Sequence, residues 1–342
     1  MQAKGLIALI VAAIIVAAAA IALSLGGPRA IADAGSGQVV LAGLAGKIGD
    51  VAAVKISGAG GPVTLERKGE SWTVAEKGGF AADPAKIRQV LLGFAELTLV
   101  EPKTRSAESY SRLDVEDPGK EGGHSRLVEI DDASGKKLGE LIVGKRRPDR
   151  LGSGADGLYI RRPNDGQSWL AQGSVDLPTD TRDWLDKKIV SIAPSRIAGV
   201  TLTHEDGSKL VIKRDKEDAK FAVEGAPADS KFKSDAVVAE PAGALDGLEL
   251  SDVRPAAEVT FPSAGISRAQ LVTFDGLTID AETFDKDGTS WLRLKASGSD
   301  KAVDEAAAIN ARTANWAYAV LPYKSNAMKT KLADLVEAPK GS

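Results

Sequence analysis

The sequence predicts an α+β protein in which an N-terminal transmembrane helix precedes two tandem repeated units of antiparallel meander sheet, each with a covering helix. Three observations predict this class. A long apolar run lies near the N-terminus, a pattern of short strands occurs twice along the chain, and alternating apolar segments are joined by Asp-Gly and other tight turns.

The predicted transmembrane helix spans residues 6–25, which carry no charge. A helix of this length covers about 30 Å, the thickness of the hydrocarbon core of a bilayer. Lys4 precedes the run, so we expect the N-terminus in the cytoplasm and the bulk of the chain on the far side. A cleaved signal peptide is the alternative, with Ala30–Ala32 or Ala32–Ala34 as the cleavage site.

Two segments about 150 residues apart carry the same order of short strands. Each segment has an alternating strand, a second strand that ends in arginine, and a third strand that contains an aromatic residue. The strands are Val51–Ile56, Val63–Arg67 and Trp72–Val74 in the first copy, and Ile197–Leu202, Leu210–Arg214 and Phe221–Val223 in the second. Alternation of this kind is typical of strands that bury one face. The repeat predicts two units of one architecture.

A helix and a further strand follow in each copy. The helices are predicted at 83–97 and 230–245, and the strands at 97–100 and 248–250. Hairpins complete the two copies, since turn residues separate alternating runs. The hairpin strands are Leu127–Ile130, Leu138–Val143, Leu158–Ile160 and Ser168–Leu170 in the first copy, and Gln270–Phe274, Leu277–Ile279 and Trp291–Leu294 in the second.

These elements divide the chain into four parts: a cytoplasmic tip and anchor (1–27), a linker (28–46), a first unit (47–187) and a second unit with C-terminal helices (188–340). A short helix at Asp183–Asp186 is expected to link the units. A C-terminal helix at Val303–Tyr318 places apolar residues on one stripe and is expected to pack on the second sheet.

Composition excludes several classes of partner and of stabilising bond. The net charge of −3 gives no bulk attraction to nucleic acid or anionic lipid, so no nucleic-acid partner is expected. The chain has no cysteine, so it has no lipoprotein attachment site and no disulfide framework. Its stability must come from burial of side chains.

The residues with catalytic potential are few. The chain has two histidines, His124 in a Gly-rich loop and His204 at the end of a predicted strand, and we expect surface or turn roles for both. Neither histidine lies at a helical metal-ligand spacing from another ligand, and glycine patterns for phosphate or dinucleotide binding are missing. The sequence therefore predicts no enzyme, no metal and no cofactor. A Ser-Lys or carboxylate-pair enzyme stays open, because such partners can meet only in the fold.

One acidic turn resembles the start of a calcium loop. The segment is Asp285–Thr289, but Thr289 replaces an acidic or amide ligand and Ala296 stands where the closing glutamate belongs. We interpret it as an Asp-Gly hairpin turn.

A basic cluster near two strand ends is the candidate contact for an anion or a partner, because the arginine fork matches carboxylate and phosphate. Its members are Lys145, Arg146, Arg147, Arg150, Arg161 and Arg162. The alternative is a solvated strand edge that is charged against edge-to-edge pairing. The tryptophans are expected to anchor cores, with an exposed carbohydrate platform as the alternative. They are Trp72, Trp169, Trp184, Trp291 and Trp316.

Motifs along nearly the whole chain are similar to a bacterial family. They are the charged-then-apolar N-terminus, Lys47–Val51, Trp72–Val74, Tyr110–Leu113 with Asp117-Pro118, Leu141–Arg146, Leu177–Asp180 with Trp184-Leu185, and Ala308–Arg312 with Trp316–Tyr318. The chain thereby resembles the bacterial domain of unknown function 4340. The resemblance implies a membrane-anchored, exported repeat protein, often encoded beside ABC transporter components of the gliding-motility type.

The favoured hypothesis is a non-enzymatic accessory or scaffold protein, single-pass in the bacterial inner membrane, with its N-terminus cytoplasmic and the bulk of the chain periplasmic. Its expected partners are permease and ATPase components of an ABC transporter, and inner-membrane lipid around residues 6–25. The alternative is a periplasmic binding module for an anionic or glycan ligand that uses the basic cluster or a crevice between the repeats.

Overall fold

The computed structural model describes residues 36–148 and 156–337. The predicted anchor at 6–25 lies outside these residues. Among the residues described, no helix is both long and apolar enough to cross a bilayer. The described residues form two compact units, one made of residues 36–73 and 84–183 without the gap at 149–155, and the other of residues 74–83 and 184–337.

Both units consist mostly of antiparallel strands, as the sequence predicts. The first unit contains β1 (Val51–Gly58), β2 (Val63–Lys68), β3 (Ser71–Val74), β5 (Thr98–Pro102), β6 (Arg126–Asp132), β7 (Lys137–Arg147), β8 (Gly157–Arg161) and β9 (Ser168–Gln172). The second contains β4 (Phe80–Ala81), β10 (Lys188–Val190), β11 (Ile197–Thr203), β12 (Lys209–Lys213), β13 (Ala222–Val223), β14 (Leu248–Pro255), β15 (Ser267–Thr273), β16 (Leu277–Lys286), β17 (Thr289–Gly298) and β18 (Trp316–Val320).

The described helices are short. They are α1 (Pro84–Glu96) in the first unit, and α2 (Asp235–Ala239), α3 (Val303–Thr313), α4 (Pro322–Ala327) and α5 (Leu332–Leu335) in the second. Turns of 3-10 helix occur at Ala45–Asp50, Ala75–Lys77, Ala107–Arg112, Thr181–Trp184, Pro194–Arg196, Glu240–Gly243, Ala256–Glu258 and Asp300–Ala302.

The two sheets have the same connectivity. The same order of eight strands runs through both: β3-β2-β1-β6-β7-β8-β9-β5 in the first and β13-β12-β11-β15-β16-β17-β18-β14 in the second, where β10 is added beside β14. The register of both sheets shifts at the same place, between Val51 and Ala53 in β1 and between Ile197 and Gly199 in β11. Positions in β1 and β6 therefore have defined equivalents in β11 and β15, although the register around β7 shifts twice where that around β16 does not.

One helix covers each sheet on its buried face. In the first unit α1 buries Ile87, Val90, Leu91 and Phe94, which recur at helical spacing. The second unit has a shorter helix where one was predicted at 230–245. There α2 begins at the N-cap Ser234, whose hydroxyl accepts a bond from the Val237 N–H at 3.2 Å, and Pro241 and Gly243 reduce the rest to a 3-10 turn.

The prediction of a helix over Val303–Tyr318 is wrong for the last residues of this range. The structure ends α3 at Thr313, and Trp316–Val320 forms a strand. That strand lies between β14 and β17, so the residues from Ala317 to Val320 are buried on both faces. Over so few residues, small and aromatic side chains fit the helical period of 3.6 as well as the strand period of 2. Hydrogen bonding to strands on both sides stabilises the strand.

Helix α3 completes an edge of the second sheet. Strand β18 pairs with β17 only at Ser290–Leu292, and no other strand of the described residues lies beside the far end of β17 on that side. The Asn310 side chain takes this place, since it accepts from the Ala296 N–H and donates to the Ala296 carbonyl, both at 2.8 Å. Ala296 itself is buried, so its backbone groups need these partners.

We expect Asn310→Ala to lower the free energy of unfolding by about 1–3 kcal/mol, because it orphans two buried backbone groups. Urea denaturation measures this. The control is Ala307→Ser on the exposed side of the same helix, which should change stability by less than about 0.5 kcal/mol. Equal midpoints for the two variants would refute the edge role of Asn310.

Candidate functional site

The sheet of the second unit turns a polar face away from its core. Leu202, Leu271, Ile279 and Leu294 point to the buried side, and the residues that alternate with them point to the other. This outward face of β12, β11, β15, β16 and β17 forms a groove of about 610 Å³.

Strand pairing sets five groove residues side by side across the strands. The register pairs Thr203 with Lys209 and with Arg268, then Arg268 with Glu282, and Glu282 with Arg293. We call this the charged row: Lys209, Thr203, Arg268, Glu282 and Arg293. Neighbouring strands are about 4.8 Å apart, so its three cations recur at about 10 Å.

A second row lies two residues away along each strand. The register pairs Thr201 with Gln270, Gln270 with Asp280, and Asp280 with Lys295. The Gln270 amide donates to the Asp280 carboxylate at 2.9 Å. We call these four residues the polar row, and together the two rows line the groove.

Ion pairs fix the side chains in the middle of the charged row. Arg268 Nε donates to Glu282 Oε1 at 2.9 Å, and Arg293 binds Glu282 Oε2. Burial favours the protonated form of Glu282, but hydrogen bonds from Arg293 and Arg268 outweigh it and lower the pKa of Glu282. The glutamate therefore stays ionised, and its single charge leaves the two arginines with an excess of positive charge.

Aromatic packing closes one end of the groove. The Arg293 guanidinium stacks on the Phe261 ring at 4.4 Å, and Phe261 meets Phe284 edge-on at 4.7 Å. Trp291 and Val259 lie buried in the same cluster. The connection between β14 and β15 thus covers only the end of this face and leaves both rows open.

The equivalent face of the first unit is covered. Its connection between β5 and β6 spans residues 103–125, about twice the length of 256–266 in the second unit. Tyr110 and Val115 from this connection bury Ile142, with Leu127 packed against the cluster. Leu127 pairs with Ile142 across β6 and β7, and these positions are equivalent to those of Arg268 and Glu282 in the second unit. Because both side chains are apolar in the first unit, their burial under the connection is favourable there.

Arg161 of the predicted basic cluster belongs to this covered face. Its side chain is only 5% exposed. Nε donates to the Val115 carbonyl at 2.8 Å, Nη2 binds Asp117, and the guanidinium stacks on Tyr110 at 4.7 Å. It occupies the position equivalent to Arg293, and it holds the covering connection in place.

The rest of the predicted cluster is spread along the two strands. The register sets Arg161 beside Ile142, while Arg146 pairs with Leu158 and Arg147 with Gly157, roughly 13 Å farther along β7. Lys145 donates to the Arg112 carbonyl at 3.0 Å, Arg146 to the Ser174 hydroxyl at 2.7 Å, and Arg162 to the Val40 carbonyl at 3.1 Å. Arg150 lies outside the described residues. Strand pairing thus does not bring Arg161 together with Arg146 and Arg147.

The two histidines occupy turns. His204 opens the β11–β12 turn, where the Gly207 N–H donates to its carbonyl at 2.9 Å, so it has the turn role among the two expected for it, and the residue is buried. Burial lowers the pKa of His204. The His124 N–H donates to Glu116 Oε1 at 2.8 Å. Within the described residues, no group of three or more acidic, histidine or cysteine side chains is arranged to hold a metal ion.

The acidic segment Asp285–Thr289 forms the β16–β17 hairpin turn. Asp287 and Gly288 both have positive φ, 50° and 75°, as a two-residue type I′ turn requires. Asp285 accepts bonds from Ser290 at 2.6 Å and Lys329 at 2.7 Å. Trp184 and Trp291 are buried in cores, and Trp72, Trp169 and Trp316 are partly buried.

Sequence reasoning missed the groove although it found the strands. The available signal was a difference between the copies, namely Leu127 and Ile142 in the first against Arg268 and Glu282 in the second. Recognising it requires the register, because only the pairing shows that these positions are equivalent and adjacent.

A family model described as Domain of unknown function (DUF4340) matches residues 72–265, more than half of the chain. No curated protein matches the chain, and no solved structure matches it. The matched range covers parts of both units and ends just before β15.

We expect Arg161→Met to lower the free energy of unfolding by about 2–4 kcal/mol, because it orphans the buried Val115 carbonyl and removes the bond to Asp117. The control is Arg146→Met, whose side chain is half exposed and should cost less than about 1 kcal/mol. Urea denaturation of both variants is the measurement. Equal, small losses would show that Arg161 does not hold the covering connection.

The lowered pKa of Glu282 gives a pH prediction. A depressed carboxyl pKa stabilises the fold above the ordinary value of 4.5, and this contribution disappears as the pH falls through the folded-state pKa. We expect Glu282→Gln to destabilise the protein by about 0.5–1 kcal/mol at pH 7 and by less at pH 3. Urea denaturation at both values tests this, with the exposed Asp218→Asn as control. A difference that is independent of pH would contradict it.

Proposed function

This chain belongs to the DUF4340 family, and we propose that it is a non-enzymatic accessory or scaffold protein that holds a binding partner in the groove of its second unit. The proposal places it at the bacterial inner membrane, anchored by residues 6–25, with the bulk of the chain in the periplasm. Its proposed partners in the membrane are permease and ATPase components of an ABC-type transport or envelope-assembly complex.

The observation that carries the proposal is the contrast between two equivalent sheet faces. One face is covered by its own chain over Leu127 and Ile142, and the other presents Arg268 and Glu282 in an open groove. The first unit, with its covered apolar face, has the features of a structural module. The second unit, with its open charged face, has the features of a binding module. This supports a duplication of one ancestral unit.

The chemistry of the groove supports binding over catalysis. The two carboxylates among its described lining residues are Asp280, which accepts a hydrogen bond from Gln270, and Glu282, which is paired with two arginines. A general acid needs a raised pKa, whereas the pKa of Glu282 is lowered. None of the described residues that line the groove is a histidine or a cysteine that could act as base or thiol nucleophile.

A second candidate is a periplasmic binding module for an anionic or glycan ligand that acts without a transporter. The observation that favours it is the excess of cations in the groove lining, Lys209, Arg268, Arg293 and Lys295 against Asp280 and Glu282. The two candidates share the groove and differ in what the anchor region contacts.

Crosslinking of the full-length protein in its native membranes, followed by capture and mass spectrometry, separates the candidates. We expect recovery of ABC permease and ATPase subunits, lost when residues 1–26 are deleted. A matched control is Lys216→Gln with Lys220→Gln, two exposed lysines outside the groove, which should leave recovery unchanged. Recovery of no such subunits from the intact protein would contradict the accessory role.

A further inference from the structure

We infer that the groove of the second unit binds an acidic polysaccharide, a glycan that carries carboxylates, laid across strands β12, β11, β15, β16 and β17. The inference rests on the proposed function of the groove as a binding surface and names the chemical class of its ligand. It is argued from the two rows of side chains, their spacing and their charges.

The charged row is suited to a polymer with recurring negative groups. Lys209, Arg268 and Arg293 lie in this order across the sheet, each two strands and about 10 Å from the next. Arg268 and Arg293 are each about half exposed, so donors of both remain accessible from the groove beside their bonds to Glu282. Guanidinium groups bind carboxylates through paired hydrogen bonds, and the lysine adds a point charge.

The polar row distinguishes a glycan from an acidic peptide. Thr201, Gln270 and Asp280 present a hydroxyl, an amide and a carboxylate beside the cations. The Asp280 oxygens accept hydrogen bonds, which sugar hydroxyls can donate and the ionised side chains of an acidic peptide cannot. A ligand with carboxylates on one side and hydroxyls on the other matches both rows.

The first unit shows why this face is not covered by its own chain. Covering there depends on Leu127 and Ile142, which pack against Tyr110 and Val115. At the equivalent positions Arg268 and Glu282 are charged, so an apolar cover would have to desolvate an ion pair. A hydrated, polar polymer binds such a surface without that cost.

The test is isothermal titration of the full-length protein in detergent with polygalacturonate at low salt. We expect Lys209→Gln with Arg268→Gln to weaken binding at least about tenfold, since two charge contacts are removed. Lys216→Gln with Lys220→Gln removes the same net charge outside the groove and should change affinity less than about twofold. Thr201→Val, which alters no charge, should weaken binding by a smaller factor.

Three results would overturn the inference. Absence of binding does so directly. Equal weakening by the two double variants would show bulk charge attraction rather than a site. Binding of poly-L-glutamate as tight as that of polygalacturonate, with the same sensitivity to Arg268, would assign the groove to acidic peptides. Polygalacturonate binding without recovery of transporter subunits from membranes would instead refute the accessory role and leave the glycan site standing.

Discussion

Cross-strand register is the constraint on which the rest of the structure depends. In both sheets it shifts at the start of the first long strand, at Val51 and at Ile197. A slip of one residue would turn every side chain of a strand to the opposite face. Because the shift and the connectivity are the same in both units, the same positions form a row across each outward face. The two units differ in which side chains fill that row.

A few residues determine whether the outward face of each unit is covered or open. Leu127 and Ile142 give the first unit an apolar strip, which its long connection buries, and Arg161 stacks on Tyr110 to hold the connection there. Arg268 and Glu282 give the second unit an ion pair, and its shorter connection reaches only the aromatic end beside Arg293. The face of the first unit is thus covered because covering buries apolar area. The face of the second unit is open because its charged side chains stay hydrated.

Much of the fold could be predicted from the sequence, because alternation and Asp-Gly turns are local signals. The strands and the helix at 84–96 follow from them. The helix predicted through Tyr318 failed, since Trp316–Val320 owes its strand conformation to neighbours on both sides that no local pattern encodes. The predicted basic cluster is divided for a related reason: Arg161 looks like an exposed arginine in sequence, and only strand pairing and the covering connection bury it.

The central claim is that the second sheet face, and not the first, is the open binding surface. Lysine acetylation footprinting by mass spectrometry tests it most directly, in the presence and absence of polygalacturonate. The account predicts that Lys209 and Lys295 become protected while the exposed Lys216 and Lys220 keep their rates. Protection of Lys145 in the first unit, or equal protection of all lysines, would contradict it.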